Sequence, residues 1–329
     1  MSVPFQGTYS MRNLIYIILI VVLVGIASPV FALTVSPARV EMTGDPGTTL
    51  QGEIGLLNEQ EGTRVFFTSF ENFEPNGDSG APHFIGAKDD LAIWIKTESK
   101  VVLESGKRKN VPFSITIPKN AEPGGHFAAI FFGSQEPGAH GSGQISVGGK
   151  IGVLVLLRVS GEVSEGGGLL EFVTKEKKRF FSTLPITFFY RFNNTGGNRV
   201  VPSGEIKIKN TARMTSATLL ANKNEGSALP GSARKFEVVW TSPEVSSEDG
   251  FWSAVKTQWS EFHFGWYTAQ LNIAYGVANQ TANDSYNFFV IPWELFSFIF
   301  ILLVIVGFLG RIGLKKYNRW IIARAQQQK

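Results

Sequence analysis

Chemistry in this chain has few residues to start from. Its four histidines, His83, His126, His140 and His263, are scattered with no His-x-His and no i, i+4 pair, and there is no cysteine. Without thiols there are no disulfides, thiolate metal centres or redox dithiols, and isolated imidazoles leave few metal ligands. His126 has the most functional setting, because Gly124-Gly125 precede it and glycine lets a ligand approach the backbone. Its counterpart in the internal repeat described below is Tyr267. A position filled alike by His and Tyr suits a hydrogen-bonding corner at a strand start better than a catalytic base.

The other candidate motifs fail on spacing. Asn72, Glu74, Asn76 and Asp78 alternate oxygen ligands, and Gly77 stands where a calcium loop turns. That makes them a candidate for weak Ca²⁺ binding, but the register puts His83 where the bidentate Glu belongs and Pro75 stiffens the segment, so a solvated Asx-rich turn is expected. Around Lys150 a phosphate loop would need Gly at 144, which is Gln144, and Ser or Thr at 151, which is Ile151. No Gly-x-Ser-x-Gly elbow occurs. The basic run Lys175 to Arg179 is broken by Glu176 and reads as a solvated loop, with no nucleic-acid role. The chain is therefore expected to be no enzyme, with no catalytic residue, no cofactor and no assigned metal site.

The elements that would position any site are strands. Residues 33–291 hold short runs rich in Val, Ile, Phe and Thr, broken by Gly, Pro, Asn and Asp. The clearest lie at 51–57, 64–70, 111–117, 127–132, 151–159, 186–192, 205–209, 235–240, 267–274 and 285–290. An internal repeat divides them. Asn58 with Arg64-Val65 matches Asn193 with Arg199-Val200. Gly106 to Pro118 matches Gly231 to Pro243, and Gly124 to Ile130 matches Gly265 to Leu271. The expected fold is all-β: two tandem immunoglobulin-like sandwiches at 33–160 and 169–291, with a Gly-rich linker at 161–168.

The two ends set an address. Arg12, the apolar run Leu14 to Ile26 and the small residues closing at Ala32 have the three parts of a signal peptide, residues 1–32, cleaved after Ala32. The run would span only about 20 Å as a helix, short of the roughly 30 Å hydrocarbon core. Residues 293–314 are long enough for a transmembrane helix, with Leu295 to Gly310 free of charge. The tail at 315–329 is basic with no acidic residue, as on the cytoplasmic side. A single-pass type I topology follows, with the body outside the plasma membrane. Of 31 basic and 27 acidic residues, 24 and 26 fall in that body, whose net charge is about −2. The overall excess of +4 thus belongs to the ends and implies no anionic ligand.

Val35-Ser36-Pro37-Ala38-Arg39-Val40, Asp45-Pro46-Gly47, the Asn58 turn and Pro123 to Ile130 resemble the extracellular part of the WxL-interacting bacterial surface proteins. The resemblance implies a surface protein whose first domain touches peptidoglycan and whose second binds another macromolecule. The stretch from Pro123 also resembles returning strands of periplasmic pilus chaperones, a role that a carboxy-terminal anchor argues against.

One segment breaks the repeat. Pro118 and Gly124 are 6 residues apart, whereas their counterparts Pro243 and Gly265 are 22 apart. The insert carries Trp252, Val255, Trp259 and Phe262 at near-helical spacing. It is either a helix plugging the second sandwich or a membrane-proximal surface for lipid or a partner, with Trp252, Trp259 and Phe262 as contacts. The function expected is non-enzymatic: adhesion, cell-envelope binding or protein scaffolding, with an exported protein or a cell-wall polymer as partner beside the membrane itself. The alternatives are an accessory sensor or transport subunit, and a cell-wall enzyme.

Overall fold

The structure is a computed structural model that describes residues 33–136, 149–241 and 250–326. The proposed signal peptide and its cleavage point, the glycine-rich stretch around 138–148 and Pro243 lie outside the described residues.

The first sandwich is built from β1 (Leu33–Ser36), β2 (Arg39–Gly44), β3 (Thr49–Asn58), β4 (Arg64–Asn76), β5 (Ala81–Gly86), the one-turn helix α1 (Leu91–Trp94), β6 (Ile95–Thr97), β7 (Lys100–Leu103), β8 (Arg108–Thr116), β9 (Gly124–Gly133) and β10 (Lys150–Val159). One sheet has the order β1-β3-β8-β6. The other runs β2-β10-β9-β4-β5, with β7 also on β4. Between them Leu56, Val111, Ile115, Ile130 and Leu157 are buried to 1% exposure or less.

The second sandwich repeats this plan. It comprises β11 (Gly167–Thr174), β12 (Phe180–Phe181), β13 (Ile186–Asn194), β14 (Ser203–Asn210), β15 (Thr215–Leu220), β16 (Ser232–Trp240), the helix α2 (Phe251–Ser260), β17 (Gly265–Tyr275) and β18 (Gln280–Val290). Its sheets are β11-β13-β16 and β12-β18-β17-β14-β15. Along β17 the residues Tyr267, Ala269, Leu271, Ile273 and Tyr275 all face the core, the period of 2 that a half-buried strand requires. In both units the opening strand splits between the sheets, and its second part runs parallel to the last strand, β2 on β10 and β12 on β18.

The repeat is structural, with one correction. Gly106 and Gly231 open β8 and β16 with φ of 67° and 65°, a left-handed turn that favours glycine. The partner of Asn58, however, is Asn194 and not Asn193. Asn58 Nδ2 donates to the carbonyls of Gly62 and Leu103 while its Oδ1 accepts from Gln60 N–H. Asn194 does the same with Asn198, Ala228 and Gly196. Both are fully buried, and Asn193 is not. The doublet Asn193-Asn194 made the two registers indistinguishable by residue type.

The two sandwiches touch. The turn beyond β4 puts Asp78 2.8 Å from Arg191, Glu41 pairs with Arg199, and Gly125 N–H donates to the Gly197 carbonyl at 3.0 Å. A cleft of about 380 Å³ lies between them, lined by Glu41, Phe127, Arg158, Asn198 and Arg199 among others. Beyond β18 the helix α3 runs from Trp293 to Gln326. Among the described residues it is the one helix long and apolar enough to cross a membrane. It continues past 314 without a break, so the basic segment begins as helix and not as a separate tail.

Candidate interaction surface at the base of the second sandwich

The insert folds as α2, as its apolar spacing predicts, but it turns an unexpected face inward. Its buried residues are Val255 and Gln258. Trp252 and Trp259 are 68% and 70% exposed, and Phe262, beyond the helix end, is 56% exposed. Whatever α2 fills, it does so with Val255 and Gln258, leaving the tryptophans in the open.

Gln258 explains the packing. A buried primary amide must find partners for both its donor and its acceptor. Its Nε2 donates to Glu294 Oε2 at 2.5 Å and to the Ser182 carbonyl at 3.3 Å, and its Oε1 accepts the N–H of Leu295 at 2.9 Å. That last N–H belongs to the first turn of α3, where a helix has no internal acceptor to offer. Gln258 therefore caps the membrane-type helix from a neighbouring element and ties it to the second sandwich.

Around this junction lies a collar of rings. Trp252 meets Phe298 edge-on at 5.5 Å, Phe264 meets Phe296 at 5.4 Å, and Trp266 meets Phe289 at 5.2 Å. Phe262 lies 6.3 Å from Phe296, and Trp293 is itself exposed. Phe264, Trp266 and Gln258 were not singled out from sequence. The signal for Gln258 was its place three residues after Val255, on the inward stripe. For Trp266 it was the strand period that points it opposite to Tyr267.

The remaining sequence candidates are elsewhere and apart. The segment 72–76 is not a turn but the end of strand β4, with the turn displaced to Gly77–Ser79. Asn72 is committed to the chain itself: its Nδ2 donates to the Asp89 carbonyl and its Oδ1 accepts from Ala92 N–H. Asp78 is held by Arg191, leaving Glu74 and Asn76 on the exposed strand end. Among the described residues no group of three or more His, Asp and Glu could hold a metal ion.

His126 sits at the start of β9, in the place that Tyr267 takes in β17. Its Nδ1 donates to Asp90 Oδ1 at 2.5 Å, its Nε2 to the Glu122 carbonyl at 2.8 Å, and Trp94 lies against the ring at 4.8 Å. Two acceptors call for two N–H donors, which only the imidazolium supplies. Burial works to lower its pKa, but the bonds to Asp90 and Glu122 outweigh burial and hold it above the ordinary 6.5. With both nitrogens spent, the ring is a clamp between α1 and β9.

No family model and no curated protein matches the chain. Among solved structures it is similar to the class 5 fimbriae chaperone CfaA, at 10% identity over 78% of this chain and 99% of that one, with a TM-score of 0.38. It is also similar to the E. coli chaperone DraB, at 9% identity over 78% and 95%, with a TM-score of 0.33. Scores of this size carry no argument about function, and the assignment to tandem immunoglobulin-like sandwiches followed by one apolar helix rests on the sheet order and cores described above.

Proposed function

We propose that this chain is a non-enzymatic, membrane-anchored surface protein that holds an exported protein partner at a fixed pose above the bilayer. On this reading residues 1–32 are the signal peptide, the body at 33–291 is outside, residues 293–314 cross the membrane and the basic end is cytoplasmic. The observation that carries the reading is the buried Gln258 junction. A flexible tether would suffice for an enzyme or a free-swinging adhesin, whereas here the first turn of the anchor is hydrogen-bonded into the body. The contacts Asp78 to Arg191 and Glu41 to Arg199 extend that fixed geometry to the first sandwich. In this pose Trp252, Trp259 and Phe262 lie at the level where the helix enters lipid, the depth at which tryptophan is enriched.

The same junction favours a second reading, an accessory subunit whose helix passes a body movement to a membrane partner. One experiment separates the two. In cells carrying the full chain, a membrane-impermeant crosslinker should trap the body with an exported protein, and replacing Leu295 to Gly310 by an unrelated apolar span should leave that adduct in place. Loss of the adduct in the replacement would move the assignment to the accessory subunit, and no adduct from the native chain would sink both.

A further inference from the structure

The two sandwiches differ at one sheet edge among the described residues. In the first, β8 is covered on its outer side by β6, with Ile95, Lys96 and Thr97 opposite Ile115, Ser114 and Phe113. In the second, β16 is the counterpart of β8 and ends its sheet, pairing among the described residues with β13 alone. The 125-residue offset that relates Gly106 to Gly231 places Val238, Val239 and Trp240 where Phe113, Ser114 and Ile115 stand. Burial agrees with this alignment: Val111, Phe113 and Ile115 face the first core, and Phe236, Val238 and Trp240 face the second.

The alternation of the ladder says which backbone groups are free. Lys107 gives its carbonyl to Asn58 N–H, so the odd residues of β8 face β3 and the even ones, Pro112 and Ser114 included, face β6. By the same register the N–H and C=O groups of Lys235, Glu237 and Val239 point away from β13. Beside them is a groove of about 620 Å³ between β16 and β15, lined by Leu219, Leu220, Lys223, Phe236, Val238 and Val239. Val238 and Val239 line its end toward Trp240, and Lys223, Arg234 and Lys235 line its other end, with Glu237 between them.

We infer that β16 is a strand-addition site that takes an extended segment of a partner protein, antiparallel, in the position that β6 fills in the first sandwich. Backbone pairing supplies the binding and the groove selects the side chains. The segment has small apolar residues at alternate positions, to fill the seam beside Phe236 and Val238, and acidic residues in its carboxy-terminal part, opposite Lys223, Arg234 and Lys235. A second copy of this chain does not fit that description. β16 runs from the first sandwich, where Arg234 lies against Gly80, to the anchor end, where Trp240 meets His263. Two copies in one membrane present these edges pointing the same way, and antiparallel pairing would require one of them to be inverted. The inference rests on the protein-binding reading above and names the surface and the partner's chemistry.

The test uses the full chain in nanodiscs and a short fluorescein-labelled peptide that alternates Val and Thr and ends in Glu-Glu. Saturable binding by anisotropy is expected, weakened at least tenfold in Glu237→Pro, which removes one outward N–H at a position equivalent to the native Pro112. Val239→Lys, an exposed change that leaves the backbone intact, should weaken it similarly. Val102→Lys, an exposed change on β7 of the first sandwich, should leave it unchanged. No binding by the native chain, or binding by both β16 variants as tight as that of the native chain, overturns the inference, as does a dimer of the native chain that Val239→Lys dissociates. If surface crosslinks persist in Glu237→Pro, the scaffold reading stands and this edge is not its site; if peptide binds while the native chain gives no crosslink, the edge stands and the scaffold reading falls.

Discussion

Gln258 on α2 and Leu295 on α3 are joined by a buried hydrogen bond, 2.9 Å from Oε1 to the backbone N–H. The same amide donates to Glu294 and Ser182, so one side chain links the insert, the anchor and the strand-connecting segment before β13. Replacing it by leucine keeps the volume but leaves the Leu295 N–H and the Ser182 carbonyl without partners, at about 1–3 kcal/mol for a buried unsatisfied group. Gln258→Leu should lower the melting temperature and speed amide exchange over the first turn of α3. Unchanged exchange at Leu295 would mean that the amide does not cap the helix.

Asn58→Ala and Asn194→Ala should be equally damaging, because each removes two donated bonds and one accepted bond from a fully buried turn. Each should cost at least about 2 kcal/mol by denaturant titration. Asn193→Ala should cost far less, since its neighbour holds the turn. A reversal of that order would reinstate the register with Asn193.

His126 makes the first sandwich more stable in mild acid than in base. Its folded pKa is raised above the ordinary 6.5, so its contribution is complete below about 6.5 and declines as pH rises through the folded value. The melting temperature should therefore fall on going from mildly acidic to alkaline buffer. His126→Gln should flatten that portion of the profile. A native profile that rises with pH over this window would contradict the imidazolium clamp.

Trp252→Ala with Trp259→Ala should leave the melting temperature nearly unchanged, since both rings are mostly exposed and such surface substitutions cost roughly 0.5 kcal/mol or less. In nanodiscs containing brominated lipid, the native chain should show tryptophan quenching that the double variant loses in part, the remainder coming from Trp266, Trp293 and Trp320. Equal quenching in the two would place the collar away from the membrane. A large stability loss would instead assign both rings to the plug.

The strands legible in the sequence were the long ones carrying runs of β-branched and aromatic residues: β3, β4, β8, β9, β10, β13, β14, β16, β17 and β18 each overlap a segment expected from pattern alone. Those missed, such as β2, β5, β6, β7, β12 and β15, are short or half exposed and lie mostly at sheet edges. An edge strand has one pairing partner and little need of a continuous apolar face, so its pattern is weak. Asn72 was misplaced for a related reason: Asn, Pro and Gly signal a turn, but β4 pairs with β5 through Asn76 and holds the segment extended.

By itself the sequence determined the all-β body, its internal repeat, the helical insert and the apolar helix at the end, because each depends on the local period of side chains. Only the tertiary structure decided that Asn194 is the counterpart of Asn58, that Gln258 and not the tryptophans is buried in α2, and that β16, among the described residues, lacks the covering strand that β8 has. These depend on which backbone groups remain without a partner once the sheets assemble. That is a property of long-range pairing, and no local pattern of residues records it.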